Sequence, residues 1–234
     1  MNDLPVRTGS LISKASLVVS AAEDLLFPDS IYCVCCGKII DDTRTYSLCD
    51  ECMSRLGWNI DPPLIKSGIP VIRCVDYGIY GRSIVFSLKY GKRKYVARHI
   101  AEIMADRLAA SGIRPDLFVP VPIHEDRFRE RGFNQSELIA RFLTERTGVP
   151  TVDALERVRK TDAMRGLGAS ERTLNIEGSM RMKPGLDGFA EGGIIALIDD
   201  FCTTGSTAAE CARALEGSDE GDIFMFAFAA RPLG

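Results

Sequence analysis

No apolar run in this chain approaches the roughly 20 residues needed to cross a bilayer, so membrane insertion is not expected. Histidine is scarce, with two copies, and no Ser/His/Asp arrangement is recognisable, so nothing suggests a dedicated protein nucleophile. A charge excess is also missing. The 29 Lys and Arg against 32 Asp and Glu leave a formal −3, so nucleic-acid binding would need a local basic patch. What is present describes a globular chain: 234 residues, 46% apolar and 26% charged, enough for one α/β domain and a small appendage.

The most informative stretch is Ile194 to Thr207. Ile194 to Ile198 are apolar without alternation, which predicts a strand buried on both faces of a parallel sheet. Asp199 and Asp200 follow. Then Thr203, Thr204, Gly205, Ser206 and Thr207 form a hydroxyl-rich turn running into the helical pattern Ala208, Cys211, Ala212 and Leu215. In open α/β sheets ligands sit beyond the carboxyl ends of strands, and a helix N-terminus there offers unpaired N–H groups to an anion. This order predicts a phosphate on Thr203–Thr207, with the two carboxylates facing hydroxyls or a metal. The plainer alternative is an Asp turn and a Ser/Thr helix cap.

Five of the eight cysteines lie between Cys33 and Cys52. Cys33-x-x-Cys36 and Cys49-x-x-Cys52, twelve residues apart, have the spacing of a four-sulfur structural zinc site, and Gly37 suits the first knuckle. Cys35 is the spare at normal spacing, although it could replace Cys33 or Cys36. A disulfide or iron–sulfur reading stays open. Lys38, Arg44 and Arg55 balance Asp41, Asp42, Asp50 and Glu51, so the motif alone does not imply DNA. This cysteine usage favours a reducing compartment, the cytoplasm.

Ahead of it, Leu11, Ala15, Val18, Val19, Ala22, Leu25 and Leu26 repeat at helical spacing up to Pro28, predicting a packed helix over 1–28 and not a signal peptide. The four-cysteine segment spans 29–60, Gly57 to Pro70 reads as a connecting loop, and the main domain covers 68–234. Its expected elements are a strand from Ile69 to Tyr77, two helical pieces broken at Tyr90-Gly91, and a strand from Asp116 to Pro122. A helix capped by Asn134 follows, and the last strand is Ile223 to Ala229. Lys89, Lys92, Arg93 and Lys94 cluster at the helix break, where Lys89 stands out beside the Tyr-Gly step. His99 is given no task. Arg127, Arg129 and Arg131 are crowded between a strand end and a helix start, which argues for a diphosphate or acidic partner, unless Glu125, Asp126 and Glu130 neutralise them. Arg157 to Gly178 is basic and poorly periodic, a surface loop or a lid over a phosphorylated substrate.

Asp199-Asp200-x-x-Thr203-Thr204-Gly205-x-Thr207 resembles the phosphoribosyl-pyrophosphate (PRPP) signature of type I phosphoribosyltransferases. Val119-Pro120-Val121-Pro122-Ile123-His124 through Arg131-Gly132-Phe133-Asn134-Gln135-Ser136, with the cysteine pairs and Leu88-Lys89-Tyr90, resembles the ComF family of phosphoribosyltransferase-like competence proteins. The similarity runs from about Leu17 to Ala230. It implies a type I phosphoribosyltransferase-like parallel sheet flanked by helices, with a small zinc-ribbon-like segment ahead of it. It further implies PRPP or a related phosphorylated ribose bound with Mg²⁺, Asp199 and Asp200 at the ribose hydroxyls, and the 5'-phosphate on Thr203–Thr207. Pyrophosphate would fall to His124, Arg127, Arg129, Arg131 and Gly132. The activity implied is transfer or hydrolysis of the phosphoribosyl group in DNA uptake or a nucleotide-related role. The alternative is a non-catalytic module for single-stranded DNA and competence proteins, with Tyr90, Phe128 and Phe133 as stacking candidates. The lid keeps the family's Thr161, Leu167, Glu171, Arg172 and Asn175 but has Met164 and Gly168 where Gln and Ser are usual, which bears on acceptor recognition.

Overall fold

Five strands form the central sheet of the computed structural model, which describes residues 31–41, 43–91, 93–159, 176–186, 192–215 and 222–232. The helix expected over 1–28 lies outside the described residues, as does most of the expected lid (160–175), including Met164 and Gly168. The strands are β1 (Leu64–Lys66), β2 (Ile69–Asp76), β3 (Leu117–Pro120), β6 (Ile195–Cys202) and β7 (Ile223–Ala230), in the order β1-β2-β7-β6-β3. β2, β7, β6 and β3 pair in parallel, with Ile198 opposite both Phe226 and Pro120. β1 folds back antiparallel on β2. The expected α/β parallel sheet is therefore observed. The smaller pair β4 (Leu155–Arg157) and β5 (Met180–Met182) is antiparallel.

The helices are α1 (Asp50–Arg55), α2 (Ile79–Tyr90), α3 (Val96–Ser111), α4 (Glu125–Arg131), α5 (Gln135–Thr147) and α6 (Ser206–Leu215). Side chains alternate across a strand, and β6 uses both faces. Ala196 and Ile198 enter one buried cluster with Phe226, Phe228 and the apolar stripes of α2, α3 and α5. Ile195 and Leu197 enter the other with α6, β4 and β5. That is why the β6 sequence is apolar without alternation. No helix among the described residues is long and apolar enough to cross a membrane.

Three local outcomes differ from the sequence reading. β6 continues through Cys202, so Asp199 and Asp200 belong to the strand and point to opposite sides of it instead of following it together. Residues 64–66 form a strand within what reads as a loop, because Ser67 (φ 49°) and Gly68 (φ 81°) close a tight hairpin. A three-residue strand flanked by prolines leaves too short a pattern to find. The cysteine segment is also stitched to the sheet: Asn59 N–H donates to Cys74 O and Asp76 N–H to Gly57 O, both at 2.8 Å.

Candidate functional site

The carboxyl ends of β2, β3 and β6 open onto a cleft of about 1020 Å³. Its walls include Lys89 and Tyr90 from α2, Arg127, Glu130 and Arg131 from α4, Arg157 from β4, Asp199 and Asp200 from β6, and Thr203, Gly205, Ser206 and Thr207 from the turn into α6. Each group is carried by an element end. Asn134 caps α5, accepting from Ser136 N–H at 3.1 Å, and its amide donates to Val121 O at 3.1 Å. This ties the loop after β3 to the start of α5. Gly132 (φ 82°) ends α4 in a left-handed conformation that an L side chain would strain.

The two carboxylates differ in environment. Asp200 is 1% exposed, and its Oδ1 accepts from Lys89 Nζ at 2.8 Å. Its Oδ2 is buried with no hydrogen-bond partner among the described residues, a free acceptor beside the cleft. Asp199 Oδ1 accepts from Ser136 Oγ at 2.9 Å and from Asp200 N–H at 2.8 Å. Burial and the adjacent Asp200 charge push its pKa up to about 7, against the pull of Lys89 and Ser136. Asp199 therefore holds a proton more readily than an exposed carboxyl does.

The turn is itself ordered: Thr204 Oγ1 and Ser206 Oγ lie 2.8 Å apart, and Ser206 N–H reaches Thr204 Oγ1 at 3.4 Å. Arg127 and Arg131 line the cleft. The Arg131 guanidinium sits 5.7 Å from the Tyr90 ring centre and donates to Gln135 Oε1. Arg157 feels burial first and Arg127 next, both lowering its pKa, with Asp199 opposing. Two guanidiniums therefore crowd one wall.

Away from the cleft, the sulfurs of Cys33, Cys36, Cys49 and Cys52 all lie within 4.8 Å of one another. Zinc–thiolate bonds of about 2.3 Å in a tetrahedron separate sulfurs by about 3.8 Å, so this set is compatible with structural zinc. Cys35 is not in the cluster; its Sγ is directed at Tyr80 O, 3.7 Å away.

No family model matches the chain. The DNA utilization protein YhgH of Salmonella typhimurium is 27% identical over 202 residues, 78% of this chain and 83% of that protein. Competence protein ComFC of Streptococcus pneumoniae is 28% identical over 225 residues, 83% of this chain and 97% of that protein. Competence protein F of Haemophilus influenzae is 32% identical over 102 residues, 43% and 44% of the two chains. Over most of its length the chain is thus similar to proteins named for competence and DNA utilization.

Of the site residues expected from the sequence, the cleft gathers Lys89, Arg127, Arg131, Asp199, Asp200, Thr203, Gly205, Ser206 and Thr207. Arg129 is not among its walls; it is exposed and paired with Glu125 at 2.5 Å. His124 caps α4, accepting from Asp126 N–H at 3.2 Å. Thr204 is not among the walls; its hydroxyl contacts Ser206 within the turn. Lys89 stands in the cleft wall with its ammonium already engaged by Asp200. Sequence reasoning missed Ser136 as the Asp199 partner, Arg157 as a cleft residue and Lys66 beneath the turn. Ser136 lies in the stretch after Arg131 without a mark of its role, Arg157 opens the basic segment expected as a surface loop or lid but ends β4, and Lys66 carries no signal.

Proposed function

We propose that the cleft binds PRPP with Mg²⁺ and that the chain transfers or hydrolyses its phosphoribosyl group, in a role connected with DNA uptake. One observation carries the reading: an ordered hydroxyl turn, a carboxylate pair and two arginines converge on a single cleft. In this arrangement Thr203–Thr207 hold the 5'-phosphate at the N-terminus of α6. Asp199 and Asp200 orient the ribose hydroxyls, and Lys89 keeps Asp200 fixed. Arg127 and Arg131 receive the diphosphate as the bond from the anomeric carbon to its oxygen breaks and the electron pair leaves with that oxygen. An acceptor or a water then bonds to the anomeric carbon, so the protein supplies positioning and charge, not a nucleophile.

The residues fit a divalent cation. Asp199 and the unpartnered Oδ2 of Asp200 offer one or two carboxylate oxygens, the share that Mg²⁺ commonly takes from protein, with phosphates and water completing the shell. When bound, the ion would neutralise charge on the leaving diphosphate. A zinc ion on Cys33, Cys36, Cys49 and Cys52 would be structural, since four thiolates leave no open position. The cytoplasm, where such thiols stay reduced, is the location this assignment favours.

Titration calorimetry with PRPP, with and without Mg²⁺, tests the reading on wild type and on Asp199→Asn/Asp200→Asn. A binding signal in wild type that is lost in the double variant is the expected result. Absence of binding to wild type in either condition refutes it.

A second reading, a surface for single-stranded DNA and competence proteins, rests on Tyr90. This ring is 61% exposed, lies 5.3 Å from Phe86 and has Arg131 over it, a combination that stacks bases. Salt-dependent oligonucleotide binding that weakens in Tyr90→Ala would favour it. Phe133, by contrast, is buried in the core.

A further inference from the structure

The hairpin between β1 and β2 lies directly under the hydroxyl turn. Lys66 is 7% exposed, and its Nζ donates to Thr203 O at 2.9 Å. Ser67 Oγ donates to Thr204 O at 3.0 Å. Gly205 lies so close that a Cβ there would meet Lys66 Cβ at 2.6 Å and Lys66 O at 2.7 Å. Two successive carbonyls of the turn are thereby turned toward the hairpin. A trans peptide is planar, so the Thr204 N–H that shares a peptide with Thr203 O points away from the hairpin.

The charge of Lys66 is the unexplained part. Among the described residues its only hydrogen bond is to that carbonyl, and no carboxylate pairs with it. The groups around it are Cys202 on β6, Arg73 on β2 and Arg231 after β7. Arg73 is satisfied by Asp76 at 2.8 Å and Asp61 at 3.5 Å, whereas Arg231 stacks over Tyr77 and lines the cleft. Burial, reinforced by Arg73 and Arg231, lowers the Lys66 pKa. A buried ammonium held by one neutral acceptor is costly unless an anion arrives nearby. The anion-binding end of α6 is the adjacent place for one.

We infer that Lys66 is a positioning and specificity residue of the turn: it aims the Thr203–Thr204 backbone and supplies positive charge from beneath, so that the turn takes a terminal phosphomonoester as its dianion. The inference rests on the phosphoribose reading of the cleft and adds which residue selects the ligand's charge state. Lys66 lies behind the turn, outside the cleft wall, and acts through the turn.

Calorimetry with ribose 5-phosphate, with ribose as the uncharged control, tests this on wild type, Lys66→Met and Lys66→Arg, each checked by thermal unfolding. The methionine variant keeps the packing stem and is expected to bind ribose 5-phosphate about tenfold more weakly, with the arginine variant recovering most of the loss. A second readout separates charge from scaffolding. Wild-type affinity should rise as the phosphate loses its second proton near pH ~6, and that rise should shrink in Lys66→Met. If the methionine variant does not fold, Lys66→Gln, which keeps a donor for Thr203 O without charge, replaces it. Unchanged affinity, or a loss of equal size at every pH, overturns the role of Lys66 and leaves the cleft reading standing if PRPP still binds wild type. Wild type that binds neither ribose 5-phosphate nor PRPP overturns both.

Discussion

Replacing Asp199 by Asn should make the ligand-free protein more stable above neutral pH. Asp199 Oδ1 accepts two hydrogen bonds, from Ser136 Oγ and Asp200 N–H, and an Asn carbonyl oxygen can accept both. What the substitution removes is a negative charge that burial and Asp200 oppose. The native pKa of about 7 stands roughly three units above an unperturbed Asp near 3.9. At about 1.36 kcal/mol per unit, ionised Asp199 would destabilise the fold by up to about 4 kcal/mol. The residue is partly open to the cleft, and water screening brings the expected gain of Asp199→Asn down to about 1–3 kcal/mol at pH ~8.

The sign follows from proton binding. Because the folded pKa is raised, the native state holds the proton more tightly than the unfolded chain. This contribution to wild-type stability is fully present below about pH 4 and is lost as pH rises to about 7. Lys89 on α2 and Arg157 on β4 favour the charged form, and Asp200 on β6 disfavours it. Urea unfolding of both proteins at pH ~4 and pH ~8 measures the effect as the difference in unfolding free energy. Equal stabilities at pH ~8, or a less stable variant there, would refute the account of Asp199 as a strained binding group.

Two further predictions concern the turn and the cysteines. Gly205→Ala places a Cβ against Lys66 backbone and side chain at a φ of +86°, so it should destabilise by about 2–4 kcal/mol in urea unfolding and weaken phosphate binding; a cost below about 1 kcal/mol would contradict the packing described. Purified protein should carry one zinc per chain by native mass spectrometry, and chelation or Cys49→Ser should remove it and lower the melting temperature. Metal-free protein indifferent to chelator would exclude the structural zinc.

Where the sequence was legible, a single local pattern decided the structure. The apolar run before Asp199 named a central strand because both faces of β6 are covered. The Asn134 cap and the breaks at Gly91 and Gly148 likewise depend on residues within one turn of themselves. The cysteine cluster was legible because metal geometry fixes the spacing within each pair, and it became specific only when Cys35 was seen turned toward Tyr80. What stayed hidden was long-range. Lys66 meets Thr203, Ser136 meets Asp199 and Lys89 meets Asp200 across wide stretches of chain, and no periodicity records such meetings. The arginine triplet shows the same limit on a smaller scale. Three alternating arginines look equivalent in sequence, but on α4 Arg127 and Arg131 are one helical turn apart on the cleft side, while Arg129 lies between them in sequence on another face.

Charge ties these observations together. Five cationic side chains, Lys89, Arg127, Arg131, Arg157 and Arg231, line the cleft against three carboxyls, Glu130, Asp199 and Asp200, and Lys66 adds a buried cation from below. The chain as a whole is net negative, so this local excess runs against the average composition. Like charges crowded in a partly closed cleft strengthen one another's demand for a counter-charge, since the medium there screens less than water. Burial first and cationic neighbours after it lower the pKa values of Arg157 and Lys66. Asp199 and Asp200 do not cancel it: Asp200 is held by Lys89, and the raised pKa of Asp199 favours its neutral form below about pH 7. A ligand with phosphates at both ends of a sugar answers each feature at once, one phosphate over Lys66 and the α6 N-terminus, the other between Arg127 and Arg131. A single-stranded nucleic acid satisfies the arginines and Tyr90 but leaves the buried Oδ2 of Asp200 and the charge of Lys66 unanswered. That difference is the reason we propose a phosphorylated sugar over a nucleic acid as the ligand.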